Sequence, residues 1–552
     1  MLFKDAVSFA QGHWVALSVL LALSCVSYSY IRAYFFLRGF NGPFLAKLSN
    51  FWQLWDTLVD LERPPLQHVH AEYGKAVRIG PDVLSFSSAD AARDIYYGVG
   101  RDWPKSEAYR VMGTFTRGAA DEILFSSTNK PWHDNIRRCV NAAYSMGSIR
   151  QYEAIVNSKV DVLVEQLQKR FADQGNKAFD ATEWFCFFST NVITAVTWGR
   201  SWQCLETGSD TGGIMKQFDA DLRYAQKARN NAASDICPMP VLDKFLHKNP
   251  VLGYLDRLGL MNKTPPTIAI VASEFQKARE EAADFEKPKV GTVDDPTLLV
   301  DQIIRARRTN PDIMTELDVL KLGVNTVFAG ADTTTPKPNR PCHTGITITA
   351  LFYYLLRTPH AHAALLHELR THFPNTPPIH IPYARASSLP YLAACIKETF
   401  RLHPVLRITP SRIVTTPGGA TIAGQHVPHG TVVGVNPWVA HYDPAVFGPD
   451  TRSFVPERWL ASPTAAPGFG ELEGSGAKGG AGAGRGMNSA LLHFGAGNFN
   501  CIGKNLALVE MYKCVPRVLL AFPQMGVVGA GEWRLDPQAL MKPVGLEFRL
   551  GK

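Results

Sequence analysis

Phe494-Gly495-Ala496-Gly497-Asn498-Phe499-Asn500-Cys501-Ile502-Gly503 holds one cysteine in a glycine-punctuated loop, and an apolar helical run, Leu506 to Leu520, follows at once. Glycine lets a backbone pass close to something bulky without a clashing Cβ. A helix N-terminus just after Cys501 favours thiolate over thiol through its partial positive charge. A thiolate at the mouth of such a loop is what a haem iron takes as a proximal ligand. Taken alone, the loop leaves several haem or thiol chemistries open.

Working outward, the 552 residues suggest three or four domains at about 150 residues each. That prior gives way where one large helical core dominates. A hydrophobic content of 46% against 19% charged residues describes a globular chain with a large core. The net charge of +8 suits an acidic protein partner or an anionic membrane surface. No basic stripe with interleaved aromatics appears, which argues against nucleic acid as a partner. Nine scattered cysteines without a CxxC pair are not a disulfide framework, so most are expected to be buried free thiols.

The N-terminus is a membrane signal. Trp14 to Ile31 (WVALSVLLALSCVSYSYI) carries no charge, and Tyr34, Phe35 and Phe36 extend it. A span needs roughly 20 mostly apolar residues, so the run suffices. Arg32, Arg38 and Lys47 follow it, while only Lys4 precedes it, offset by Asp5. The positive-inside rule places the bulk of the chain in the cytoplasm. A cleaved leader is the competing reading; the run is long for one, and no small-residue cleavage site stands out. Residues 1–38 are thus expected to be an anchor, Gly39-Phe40-Asn41-Gly42-Pro43 a stiff hinge, and 39–552 one catalytic domain.

From Ser49 onward helical patterns dominate. Ile149 to Phe171, Glu183 to Trp198, Thr267 to Asp284, Thr315 to Thr334 and Ile346 to Arg357 space apolar residues by three and four. Ala76 to Ile79, Val83 to Ser87 and Thr431 to Val435 alternate as short strands do. The fold class expected is mainly α with small β-sheets. Pro463 to Gly486, rich in Gly, Ala and Pro, predicts a flexible surface loop.

Four further motifs carry chemistry. Ala329-Gly330-Ala331-Asp332-Thr333-Thr334 sits in an apolar helix, where a glycine costs about 1 kcal/mol against alanine unless something large lies on that turn. An acid beside a hydroxyl there suits proton delivery; the plain alternative is a helix end. Glu398 and Arg401 (ExxR) share a helix face, and an ordinary surface ion pair explains them equally well. Arg458 lies in the proline-bounded turn Phe454-Val455-Pro456-Glu457-Arg458-Trp459. His133 and Arg137 share one face of a helix, suited to a carboxylate or simply to solvent.

The motifs occur together and in one order, and with them the chain resembles the cytochrome P450 superfamily from about Gly39 onward. That family's haem loop follows FxxGxRxCxG, and this chain reads FGAGNFNCIG. The resemblance implies the cytochrome P450 fold: a single large haem domain behind an N-terminal transmembrane helix. It implies haem b (iron protoporphyrin IX) with Cys501 as axial iron ligand, within a loop that includes Phe494 and Gly497. Asp332 and Thr333 would relay protons, and Glu398, Arg401 and Arg458 would form the network under the haem loop. His133, Arg137 and Arg412 (in Pro410-Ser411-Arg412) would face the propionates. Electrons would come from NADPH through a separate NADPH-cytochrome reductase docked near Arg137, Arg138, Lys504 and Lys513.

The anchor, GPFLAKLSNFW and AYSMGS resemble fungal microsomal, pisatin-demethylase-like members. The resemblance therefore implies a monooxygenase of the endoplasmic reticulum membrane that uses O2 on a small apolar substrate in secondary metabolism. A haem-binding protein with impaired turnover, or a haem-thiolate isomerase or dehydratase, are the alternatives. Substrate contacts are expected from Lys105 to Phe125, from Phe328 and from Val405-Leu406-Arg407-Ile408; Arg407 is a candidate for a substrate carboxylate.

Two departures stand out. Phe499 occupies the loop position that the family gives to arginine, which predicts a looser grip on the haem and a gain on Phe499→Arg. Thr335 to Gly345 (TPKPNRPCHTG) puts three prolines after Thr334, each costing about 3 kcal/mol inside a helix. Without that stretch Thr334 joins Ile346 and the helix continues. The segment either loops out or marks a mis-spliced message.

Overall fold

The computed structural model describes residues 2–59, 64, 66–98, 102–112, 114–116, 119–121, 123–213, 266–283, 297–331, 343–374, 380–460, 483–529, 533–537 and 541–551. Helices dominate, and the helix Ala181–Trp198 lies at their centre. All its residues but Glu183 are buried. A helix apolar all round has no solvent face to offer, so it becomes the core. Asp180 caps it, accepting from the Glu183 N–H at 2.9 Å. The helices packed on it include Glu153–Leu167, Glu316–Ala331 and His343–Leu356. Phe185 stacks on Phe352 with ring centres 5.0 Å apart and planes 7° apart.

The expected strands pair in one four-stranded sheet. Ala76–Arg78 runs antiparallel to Val83–Phe86, which runs parallel to Val432–Val435, which is antiparallel to Arg412–Ile413. This sheet joins the N-terminal segment to the part of the chain that carries Arg412. The helix Lys504–Ala521 follows the cysteine loop and packs against Glu153–Leu167 and His343–Leu356.

The N-terminal helix runs Leu2–Phe36, and its Ala16–Phe36 part is long and apolar enough to cross a membrane, with a mean hydropathy of 1.4. Its end is built into the body. Leu37 is 1% exposed and joins Leu84 and Phe86 in an apolar cluster. The fully buried guanidinium of Arg78 donates to the carbonyls of Tyr34 (3.0 Å), Lys47 (3.2 Å), Pro81 (2.7 Å), Gly80 (3.1 Å) and Ala33. The junction read as a stiff hinge at Gly39–Pro43 is therefore also clamped from the sheet.

Two expectations need adjustment. The helix after the proline-rich stretch begins at His343, not Ile346. Gly345 sits where a Cβ would lie 2.7 Å from the Cys186 sulfur and 2.8 Å from its Cα, so it is a packed helix residue. Likewise Ala483–Ala490 is helical, which takes the end of the stretch Pro463 to Gly486 out of the expected loop. The rest of both stretches lies outside the described residues.

Candidate functional site

The cysteine loop is shaped by hydrogen bonds that sequence spacing alone does not specify. The Cys501 N–H donates to the Phe494 carbonyl at 2.7 Å, closing the loop on itself. Gly497 has φ +63°, and a Cβ there would lie 2.2 Å from the Tyr96 carbonyl oxygen. Only glycine satisfies both conditions. Phe494 packs edge-on against Phe400, ring centres 5.2 Å apart, so the loop rests on the helix Pro390–Leu402.

Cys501 is exposed, yet protein crowds it enough that burial pushes its thiol pKa up. Both hold for a side chain lining a concave part of the fold. The N–H groups of Gly503 and Lys504 and the charges of Arg137 and Lys504 oppose the rise. Helix onset after Cys501 thus acts in the expected direction, but burial outweighs it; only a coordinating cation would fix the thiolate.

Glu398 and Arg401 are both fully buried, so the surface-pair reading falls. Arg401 donates to Glu398 through Nε (2.9 Å) and Nη2 (2.7 Å), and Arg458 through Nε (3.0 Å). Trp459 Nε1 and the Val455 N–H complete the shell at 2.9 and 3.0 Å. The network reaches the cysteine loop through His441. Arg401 Nη1 donates to the His441 carbonyl at 3.1 Å, and the Leu492 N–H donates to His441 Nε2 at 2.8 Å. Burial and then Arg401 push His441 down to about 3, so the ring is neutral and Nε2 accepts. Neither His441 nor Trp459 was visible as a partner in the sequence.

The other expected residues converge on Phe499. His133 lies with its ring centre 4.5 Å from that of Phe499. Arg412 Cζ is 4.5 Å from the Phe499 ring centre and 5.3 Å from that of Tyr96. Lys105, absent from the expected set of cofactor contacts, places Nζ 4.7 Å from the Phe499 ring centre. Arg137 donates to the carbonyl of Asn500 at 2.7 Å and to its side chain. Burial pushes His133 down to about 4, with Lys105 adding to the fall and Asp134 opposing it.

Among the described residues no carboxylate pairs with Arg412, which is 4% exposed and donates to the Ser411 carbonyl at 3.0 Å. A buried guanidinium in that position calls for an anion. The cations around Phe499 are a fitting donor set for the two carboxylates that a haem carries, with Cys501 available on the same loop.

Some expectations fail or fall elsewhere. Lys513 is 2% exposed and bonded to Glu153 and the Ile381 carbonyl, so no docking partner can reach it. Arg138 is exposed and Lys504 partly so. Arg407 is buried beside Met541, with Nη1 3.8 Å from its sulfur. Asp332 and Thr333 lie outside the described residues, as does the side chain of Phe328. The described helix reaches Ala331, and Thr326 within it bonds Tyr144 Oη at 2.7 Å.

The chain is also similar to known proteins along most of its length. The cytochrome P450 family model matches residues 65–543. A pisatin demethylase of Fusarium vanettenii is 30% identical over 547 residues, covering 97% of this chain and 95% of that protein. The cytochrome P450 monooxygenase cicH of Emericella nidulans is 29% identical over 538 residues, covering 97% and 98%. A cytochrome P450 monooxygenase of Aspergillus flavus is 29% identical over 544 residues, covering 96% and 95%. With the family model spanning most of its length and the loop, the buried ion network and the cation cluster in place, this chain belongs to the cytochrome P450 family.

Proposed function

We propose that this protein is a haem-thiolate monooxygenase that inserts one oxygen atom of O2 into a small apolar molecule. The observation that carries the reading is the setting of Cys501: one thiol at the head of the Lys504–Ala521 helix, on a loop that rests on the Pro390–Leu402 helix, beside buried cations. When bound, the haem supplies the oxygen chemistry. Cys501 would hold its iron, with the Gly503 and Lys504 N–H groups tempering the sulfur's charge. Arg137, His133 and Arg412 would hold its carboxylates. Glu398, Arg401 and Arg458, through His441, hold the loop at fixed height. Asp332 and Thr333 would supply protons to the reaction.

The Ala16–Phe36 span anchors the protein in the endoplasmic reticulum membrane, with the catalytic body on the cytoplasmic side, as Arg32, Arg38 and Lys47 favour. NADPH-cytochrome reductase supplies electrons by docking near Arg138 and Lys504. The relatives named above support oxidation of a secondary metabolite as the task. The test is the reduced CO-difference spectrum of the full-length protein, followed by NADPH consumption with a reductase. A thiolate-type band with turnover, both lost in Cys501→Ser, is the expected result. Haem without NADPH consumption would favour a haem protein with impaired turnover, and turnover without a reductase an isomerase or dehydratase.

A further inference from the structure

Tyr144, in the AYSMGS motif, joins two elements that lie far from it and from each other in the sequence. It is buried and ends a short helical turn, Asn141–Tyr144, just after the helix Lys130–Val140 that carries Arg137. Its carbonyl accepts from Asn505 Nδ2 at 3.0 Å, in the first turn of Lys504–Ala521. Asn505 follows Cys501 by four residues (505 minus 501). At the other end of the residue, the Tyr144 hydroxyl lies 2.7 Å from Thr326 Oγ1, in the helix Glu316–Ala331. The Thr326 hydroxyl also reaches the Leu322 carbonyl at 2.8 Å, so it can accept from Tyr144 while donating there. Both side chains are buried, where a lost hydrogen bond is not replaced by water.

A tyrosine side chain has few torsions, and one bonded at both ends acts as a spacer of fixed length. Cys501 lies within electrostatic reach of this spacer: burial pushes the Tyr144 hydroxyl up to about 12 against the Thr326 bond, and the charge of Cys501 adds to the rise. One residue along, Asn325 Oδ1 accepts from the Phe125 N–H at 3.3 Å. A single turn of the helix Glu316–Ala331 is therefore held from two sides. Tyr144 holds it from the helix that follows the cysteine loop, and Phe125 holds it from the segment expected to touch substrate.

We propose that Tyr144 is a positioning residue for the monooxygenase reaction: its hydrogen bonds to Asn505 and Thr326 set the gap between Cys501 and the helix Glu316–Ala331, the slot in which the haem would lie. The proposal rests on the haem-thiolate reading above. Without the Tyr144 hydroxyl, Phe125 remains as the hold on that turn, so the helix moves off the cysteine side and the slot opens. The residues that would supply protons follow on the same helical run, so their distance from Cys501 depends on the same spacer.

The experiment titrates imidazole, which binds a haem iron opposite the cysteine, into the full-length holoprotein and reads its Kd from the shift of the haem absorption band. Urea denaturation is followed in parallel. Tyr144→Phe and Thr326→Val are each expected to bind imidazole roughly 3- to 10-fold more tightly, the range one hydrogen bond supports. Thr326→Ser, which keeps the hydroxyl, stays near wild type. The double variant Tyr144→Phe, Thr326→Val is expected to match the single variants, since both remove one and the same bond. A Kd within about twofold of wild type, weaker binding in either single variant, or shifts that add in the double variant would overturn the proposal. A tyrosine that only stabilises the fold would move the urea midpoint and leave imidazole binding alone. Should Thr326→Val not fold, Tyr144→Phe alone decides by the direction of its change. A wild-type protein without the thiolate-type CO band would defeat the underlying reading instead, independently of these affinities.

Discussion

The carboxylate of Glu398 accepts hydrogen bonds from Arg401 Nε and Nη2, Arg458 Nε, Trp459 Nε1 and the Val455 N–H while fully buried. Its value lies less in attraction than in what its loss would strand. Glu398→Gln leaves two guanidinium groups without their counter-charge, one of them wholly buried, at a cost of about 3–5 kcal/mol. Urea denaturation should show that loss; a change below about 1 kcal/mol would mark the pair as an ordinary surface ion pair. The ExxR spacing was legible in the sequence, but its burial was not, because i,i+3 spacing is the same on a wet face and a dry one.

Glu510 makes the opposite case. It lies buried in the Lys504–Ala521 helix with the Ser189 hydroxyl donating at 2.8 Å, and burial pushes its carboxyl up to about 8. The folded protein therefore keeps this proton between the ordinary glutamate value of about 4.3 and about 8, where the unfolded chain has released it. Its contribution to stability is full at the acid end and is lost as pH rises through that window. Glu510→Gln should gain stability relative to wild type between about pH 5 and pH 8.5. Parallel stability–pH curves for the two proteins would refute this. Nothing in the sequence separates Glu510 from a solvated helix residue; only the packing of Ser189 against it does.

At the scale of elements, Arg78 joins three parts of the chain that hydropathy treats separately. Strand Ala76–Arg78 carries it, the helix Leu2–Phe36 offers the carbonyls of Ala33 and Tyr34, and the helix Phe44–Leu48 offers that of Lys47. Late carbonyls of a helix have no partners within it, and a cation there also meets the negative end of the helix dipole. Arg78→Met should free the junction, so that chymotrypsin cuts between Phe36 and Pro43 roughly tenfold faster in detergent than in wild type. Arg78→Lys should not rescue it, since an ammonium has three donors and no planar fork. Unchanged cleavage would show the apolar burial of Leu37 to be sufficient. The helical and strand periods placed most elements within a few residues. They misjudged the onset at His343, because Gly345 is chosen by close approach to Cys186, a neighbour 159 residues away (345 minus 186).

For the whole molecule, the same contacts say where the N-terminal helix can be cut. Removing residues 2–28 keeps Ala33 and Tyr34 and should give a soluble protein of near wild-type melting temperature. Removing residues 2–36 strips two acceptors from Arg78, at about 1–3 kcal/mol for each buried donor left unpaired. The longer deletion should therefore melt several degrees lower; equal melting temperatures would count against the clamp.

The sequence by itself determined the family, the order of its motifs, a helix long and apolar enough to cross a membrane, and the thiol. These are written in local patterns: a glycine loop, an i,i+3 pair, an uncharged run, period 3.6 against period 2. Tertiary structure alone decided which motifs meet. His133, Lys105 and Arg412 come from three segments far from Phe499 in the sequence, and the fold brings them around its ring, Lys105 and Arg412 held together by a backbone bridge. Charge and burial act through distance in space, so a phenylalanine that reads as a missing cation in the loop pattern becomes, in the fold, the surface on which other cations are held.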